Sequence, residues 1–288
     1  MRARLRAALS FRRFAALTTV TTLTLVSLGV YTAATGSGLA CSAQWPLCDG
    51  GVLPQTVPSF IEWFHRLVAM VTGFLILGTA AWAWRAGDRR ARGPATLAAV
   101  LLPLQVSVGA VTVTLGGLFP NGYSPPTQAA HLLVALTIFT ALVVTTLRAY
   151  EGRMADAPRD RARRTLPVAL AILLVAAVLS RLVPVYPYTP AAQAAFFGVS
   201  LALYAALLAA GRWLALGAAD RSVRLLVGVG VAATLVVMVL GRDLVLYTAT
   251  VRLVNAAVFA VGFVAVGLAA WRIRDGADAG TALRAPGD

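Results

Sequence analysis

Apolar runs of about 20 residues alternate with short polar segments along the whole chain. A helix needs roughly 20 residues to cross a bilayer, and eight of the runs approach that length. The pattern therefore predicts an all-α polytopic membrane protein with eight transmembrane helices. The expected spans are residues 14–34, 61–84, 94–119, 127–149, 166–185, 191–214, 222–241 and 248–271.

Composition and charge support this prediction and add an orientation. The chain is 59% hydrophobic and only 12% charged, which excludes an ordinary soluble domain. The basic residues are all arginines, and they concentrate before the first span, after the second and after the fourth, whereas the segments 35–60 and 120–126 contain none. The positive-inside rule then predicts a multi-pass protein of the cell membrane with both termini cytoplasmic and the 41–60 loop extracytoplasmic. Membrane lipid is the expected partner of the basic loops, and nucleic acid is not expected because no aromatic-interleaved basic surface accompanies them.

The arginine-rich start resembles the positive region of a signal peptide. The apolar run that follows is too long and lacks a clear cleavage site, so it is interpreted as a retained first span.

Short motifs recur in the two halves of the chain. The sequence QAAH, ending at His131, returns as QAAF, ending at Phe196, and HRLV, starting at His65, returns as VRLV, starting at Val251. A chance resemblance among Ala/Val/Leu-rich helices is the alternative. The repeats predict two pseudo-repeated four-helix bundles, residues 1–149 and 150–288.

The two histidines of the chain stand at similar depths in two spans that run in the same direction. His65 and His131 each lie about one turn past the outer end of a predicted span. Two imidazoles at one depth on neighbouring helices can supply both axial ligands to a haem iron. Each histidine could instead be a hydrogen-bonded packing residue, but an ionisable group within a span is a functional hypothesis by default.

Three further side chains near His65 carry chemistry. Glu62 lies one turn before His65 and could move a proton or orient water. The alternatives are a helix-start charge, a partner for Arg66, or a capping box with Ser59. Cys41 and Cys48 in an extracytoplasmic loop favour a disulfide, with metal binding through thiolates as the rival.

The motifs of the N-terminal half resemble the haem A synthase family. The matching residues are TGSGLAC ending at Cys41, WPLCDG around Cys48, EWFHR from Glu62 to Arg66, Gln105 with Gly109, and QAAH ending at His131. The resemblance implies an eight-helix oxidoreductase that converts haem O to haem A by water-dependent oxidation of the C8 methyl to a formyl group. It implies that His65 and His131 ligate the substrate haem, that Arg66 contributes to its binding, that Glu62 assists the chemistry, and that Cys41 pairs with Cys48.

Two departures from the family pattern accompany the resemblance. Family members hold a haem b with a second histidine pair, and Phe196 and Val251 stand at those positions here, so a second haem b is not expected. Ala33 stands where the family usually has an arginine before the TGSG motif, which puts in doubt one propionate contact that the resemblance implies.

Two other functions fit a bis-histidine membrane site. One is a b-type electron-transfer subunit with a permanent haem, and the other is a non-catalytic haem-handling protein of oxidase assembly. The enzyme interpretation implies haem O as substrate, with a haem O synthase and terminal oxidase assembly as partners. The sequence leaves homo-oligomerisation open.

Overall fold

The computed structural model describes residues 10–42, 44–85, 88–115, 124–154, 156–183, 187–242 and 245–282, with the side chains of residues 154 and 276–282 excepted. The described residues form eight long α-helices and one short 3₁₀ turn, Ser37–Leu39, and contain no β-strand. The helices are α1 Phe11–Ala34, α2 Val57–Arg85, α3 Arg89–Thr114, α4 Pro125–Met154, α5 Pro158–Leu179, α6 Pro190–Leu216, α7 Arg221–Leu240 and α8 Ala249–Ala282.

All eight helices are long and apolar enough to cross a membrane. The predicted fold class, an all-α polytopic membrane protein, is therefore confirmed. The predicted 120–126 loop lies mostly outside the described residues, as do the arginines before Ser10.

The fifth span differs most from its prediction. The apolar run indicated residues 166–185, whereas α5 covers Pro158–Leu179. The helix begins eight residues earlier because Pro158 occupies its first turn, where a missing N–H costs nothing, and the arginine-rich segment continues as helix. It ends earlier because Ser180 is extended and its hydroxyl donates to the Ala177 carbonyl (2.7 Å).

The described chain divides into two compact units. The first comprises Met1–Tyr150 with Thr189–Ala194, and the second comprises Glu151–Tyr188 with Ala195–Asp288. Whether the two halves of the sequence are repeats of one ancestral bundle stays a prediction.

In the first unit, side chains of α2, α3 and α4 meet in one apolar core. Ile76, Ala98, Ile138 and Leu142 are its buried members. Threonine pairs add hydrogen bonds between helices: Thr18 to Thr79 links α1 to α2, and Thr19 to Thr146 links α1 to α4, each at 2.9 Å. Because hydrocarbon gives helices no hydrophobic reason to associate, such interhelical bonds help to hold the bundle together.

In the second unit, α8 packs against both α5 and α7. At Gly230 of α7 an added Cβ would lie 2.6 Å from Val266, so only glycine permits this approach to α8. Nη2 of Arg212 on α6 donates to both carboxylate oxygens of Glu151, each at 2.8 Å, in an ion pair.

Candidate haem site

His65 on α2 packs directly against α1. An ideal Cβ built on Gly29 would lie 3.0 Å from the Cε1 atom of His65, which is closer than most carbon contacts in proteins. The imidazole therefore occupies the space that any other residue at position 29 would fill. Its Nδ1 atom is buried and has no hydrogen-bond partner among the described residues.

His131 on α4 repeats this arrangement against α3. A Cβ built on Gly109 would also lie 3.0 Å from the Cε1 atom of His131. One turn earlier on α3, the side-chain amide nitrogen of Gln105 lies 3.2 Å from His131 Nε2. If the amide donates, as its chemistry requires, Nε2 is the acceptor and its lone pair points at Gln105.

The two histidines lie at comparable depths. His65 is eight residues into α2 and His131 six residues into α4, which correspond to about 12 Å and about 9 Å along the helix axes. Both helices begin earlier than the apolar runs predicted, so both histidines lie about two turns inside rather than one. The structure thus places both predicted ligands in the first unit, at comparable depths.

Glu62 is buried, with 2% of its surface exposed, and holds the loop that precedes α2. Its Oε1 accepts a hydrogen bond from Arg66, and its Oε2 accepts one from the backbone N–H of Cys41. The ion pair with Arg66, one of the alternatives considered for this carboxylate, is present.

Arg66 continues the same network into the loop. Its Nη1 donates to the Gln44 carbonyl (2.6 Å) and its Nη2 to the Ser42 carbonyl (2.8 Å). The guanidinium therefore fastens the loop to α2 through two loop carbonyls. Its expected contact with haem stays a prediction.

The capping box between Ser59 and Glu62 is absent. The N-cap of α2 is Thr56, whose Oγ1 accepts from the Ser59 N–H (3.3 Å) and whose carbonyl accepts from the Phe60 N–H (2.9 Å). Since α2 begins at Val57, Glu62 lies in the second turn, too far from the N-terminus to cap it.

Cys41 and Cys48 form a disulfide in this loop. The thiolate metal site considered as its rival is therefore wrong, and the described residues contain no cluster of acidic, histidine or cysteine side chains suited to a bare metal ion. The indole N–H of Trp63 donates to the Pro46 carbonyl (3.1 Å), so the segment between the cysteines lies against α2. The loop covers the end of α2 nearest to Glu62.

Asp49 ties the far side of the loop to the start of α2. Its carboxylate accepts from the Gln55 N–H (2.8 Å) and from the Ser59 hydroxyl (2.9 Å). These two donors, the first above all, lower the pKa of Asp49 below its usual value.

Sequence reasoning missed Gly29 as part of the site. Its signal was a lone glycine within the first apolar span, where small residues mark close approach between membrane helices. The carbonyls of Ser42 and Gln44 could not be found, because any residue type provides them.

Part of the chain is similar in sequence to known proteins. Residues 55–183 match the model of a family described as cytochrome oxidase assembly protein. A haem A synthase from Bacillus licheniformis is 34% identical over 139 residues, which are 47% of this chain and 44% of the relative. One from Geobacillus kaustophilus is 34% identical over 146 residues, 49% of this chain and 44% of the relative. Over the matched residues the chain is similar to haem A synthases.

A relative with another name matches a similar length. A protohaem IX farnesyltransferase from Halobacterium salinarum is 36% identical over 136 residues, which are 46% of this chain but only 29% of that protein. The chain thus matches less than half the length of each of these relatives. The family match includes both predicted haem ligands and Glu62.

The residues present suit a haem held by two axial ligands. The donor set is a pair of imidazoles, each in a place that a glycine keeps open, and His65 retains a buried, unpartnered nitrogen. A haem bound here would supply a redox-active iron.

Proposed function

We propose that this chain is a haem A synthase, which oxidises the C8 methyl of haem O to a formyl group at a site in residues 1–149. The observation that carries the proposal is the pair of imidazoles, each seated on a glycine of the adjacent helix, in the part related to haem A synthases. The names of the relatives favour this enzyme over a permanent-haem electron carrier and over a non-catalytic haem carrier.

The side chains of the site have separate tasks in this proposal. His65 and His131 hold the substrate through its iron and fix its depth in the membrane. Oxidation of a methyl to a formyl group takes up one water, passes electrons to an external electron acceptor and releases protons, so a proton acceptor near the substrate is useful. Glu62, one turn from His65, is the candidate, because a carboxylate with two hydrogen bonds already made can still accept on its remaining lone pairs.

Arg66 and the disulfide-tied loop position that carboxylate. The loop delivers the Cys41 N–H to Glu62, and Arg66 binds the loop carbonyls and Glu62 at once. We therefore assign to Arg66 a positioning role first, with haem binding as a further expectation from the family.

We also propose that the second half, residues 150–288, lacks a haem b. Phe196 is fully buried, its ring packs edge-on against Phe197 (5.7 Å between centroids, 88°), and a Cβ on Gly241 would collide with the same ring. The space beside this position is filled by packed side chain and backbone.

The orientation is proposed with the Cys41–Cys48 loop extracytoplasmic and both termini cytoplasmic. The arginine distribution supports it, and a disulfide is stable in an oxidising compartment. Arg148, near the end of α4, donates to the Arg90 carbonyl at the start of α3, which gathers arginines at one end of the bundle.

The partners proposed are a haem O synthase, which supplies the substrate, and terminal oxidase assembly, which consumes the product. A stretch similar to this chain makes up 29% of a protein named protohaem IX farnesyltransferase in Halobacterium salinarum, which supports a close working relation between prenylation and this unit.

Co-expression with a haem O synthase tests the proposal. The unaltered chain should yield haem A on extraction, and His65→Gly or His131→Gly should abolish the low-spin bis-histidine spectrum and haem A formation. Added imidazole should restore the low-spin spectrum in each glycine variant, which a purely packing role would not allow. Low-spin haem that survives unchanged in both variants would refute the site, and haem O bound without conversion would refute the activity.

A further inference from the structure

A cavity of about 250 Å³ opens in the second unit where three helix ends meet. These are the end of α5, the segment after α7 and the start of α8. Its lining residues are Arg181, Leu182, Tyr247, Thr248, Ala249 and Arg252. The haem assignment does not use this cavity.

Arg181 is held firmly on one side of the cavity. Its Nη1 donates to the carbonyls of Arg242 (3.2 Å) and Val245 (3.0 Å), and its guanidinium lies 4.3 Å from the centre of the Tyr247 ring. Tyr247 is itself fixed, because its hydroxyl accepts from the amide of the buried Asn255 (2.9 Å). Within the described part of the chain no carboxylate pairs with Arg181, and the two carbonyls and the ring orient its guanidinium.

Arg252 supplies a second positive charge from the first turn of α8. It is exposed, and its side chain makes no hydrogen bond or ion pair among the described residues. Thr248 begins the helix by accepting from the Val251 N–H (3.2 Å). The unpaired N–H groups of that first turn add a partial positive charge to the same wall.

The volume of the cavity and the charge of its lining indicate which ligand it could bind. Two arginines facing one cavity suit an anion, and the planar guanidinium matches the oxygens of phosphate in particular. A volume of about 250 Å³ lies just below the roughly 300–1,000 Å³ of typical sites for drug-sized ligands, which suits a headgroup-sized anion and not a porphyrin. The cavity also lies at the ends of membrane-spanning helices, where lipid phosphates are found.

We propose that this cavity binds a phosphate group through Arg181 and Arg252. The phosphate comes from the headgroup of an anionic phospholipid or from free inorganic phosphate. This site is independent of the haem assignment, since all its residues belong to the second unit.

Arg252→Gln is the test variant, because Arg181 also braces two carbonyls and its replacement would disturb the fold. Arg272→Gln is the matched control: it removes the same charge from an exposed position on the same helix, 20 residues and therefore about 30 Å away. Native mass spectrometry would follow binding of phosphatidylglycerol and, as a ligand without phosphate, of diacylglycerol with the same acyl chains. Calorimetry would follow binding of inorganic phosphate.

We expect the unaltered chain to prefer phosphatidylglycerol to diacylglycerol, and Arg252→Gln to weaken that binding about tenfold, as for the loss of one charge-assisted hydrogen bond. Arg272→Gln should bind as the unaltered chain does. Phosphate affinity that falls in Arg252→Gln identifies free phosphate as a ligand, and a fall confined to the lipid identifies the headgroup. Equal binding of the two lipids with no binding of phosphate, or equal losses in the two variants, would overturn the proposal.

Discussion

At the residue scale, the site depends on two histidine–glycine contacts of the same kind. In both, the Cε1 atom of the imidazole lies where the glycine's side chain would begin. Alanine is about 1 kcal/mol better than glycine within a helix, so a glycine kept at such a position needs a local reason. Here the reason is the neighbouring ring.

Replacing these glycines should therefore separate stability from binding. Gly29→Ala or Gly109→Ala should leave the melting temperature unchanged or raised, while the displaced imidazole weakens haem binding and shifts the low-spin absorption band. Gly73→Ala is the control, because its Cβ would meet Leu102 at an ordinary 3.6 Å. Titration of the purified haem-free variants with haem, with absorption spectra at each step, measures the effect. Equal affinity in all three variants would show that the glycines do not shape the site.

Glu62 allows a similar separation between chemistry and structure. Glu62→Gln keeps an oxygen for the Cys41 N–H but loses the charge that Arg66 binds and the capacity to exchange a proton. If the carboxylate serves the reaction, haem binding persists while the yield of haem A falls by roughly 10²–10⁴-fold. The bound haem and the ratio of haem O to haem A are both measured after co-expression with a haem O source. If Glu62→Gln gives less folded protein but that protein converts haem O at the rate of the unaltered chain, Glu62 has a structural role alone.

At the element scale, the loop before α2 behaves as a fastened cover. It is joined to the helix through Glu62, Arg66, Trp63 and the Asp49–Ser59 contact. The helices themselves could be predicted from the sequence, because each is an apolar run long enough to span a bilayer. The hydrogen bonds between the loop and α2 could not be predicted. They depend on how the loop folds back over α2, and the apolar pattern contains no information on that path.

The Asp49 contact should make the cover sensitive to acid. Its folded pKa is lowered, so the ionised form stabilises the loop above the usual value near 3.8, and this contribution is lost as the pH falls through the folded pKa. The melting temperature of Asp49→Asn should lie below that of the unaltered chain at pH 7, and the difference should shrink below about pH 4. Asp275→Asn is the control, because this exposed carboxylate makes no hydrogen bond among the described residues. A difference that is constant with pH would contradict the assignment.

At the scale of the whole molecule, the two helical units differ in the side chains at the positions that the motif repeat pairs. The first has two histidines beside glycines, and the second has buried Phe196 at the position that the motif repeat pairs with His131. The identity of the candidate haem ligands could be predicted from the sequence, because histidine is rare in this chain. The close packing around Phe196 in the second unit could not be predicted, since it depends on how closely Gly241 approaches the Phe196 ring.

The purified chain should accordingly bind about one haem. A pyridine haemochrome assay against protein concentration measures this stoichiometry. His65→Gly should reduce the stoichiometry to near zero. Any haem that the variant still bound would have to lie in the second unit, where the buried Phe196 occupies the corresponding position. Two haems per chain, with one retained in His65→Gly, would show that the second unit has ligands of another kind.

The contact between Gln105 and His131 bears on how long a haem stays. In the proposed site, iron bound at His131 Nε2 would compete with the Gln105 amide for the same lone pair, so haem binding would break one hydrogen bond and haem release would restore it. A net hydrogen bond is worth about 1 kcal/mol, which is enough to change an equilibrium severalfold. For a permanent prosthetic group such competition only weakens retention. For a substrate that must bind, react and be released, as proposed here, the same competition would favour exchange, because release of the haem would restore the Gln105 hydrogen bond.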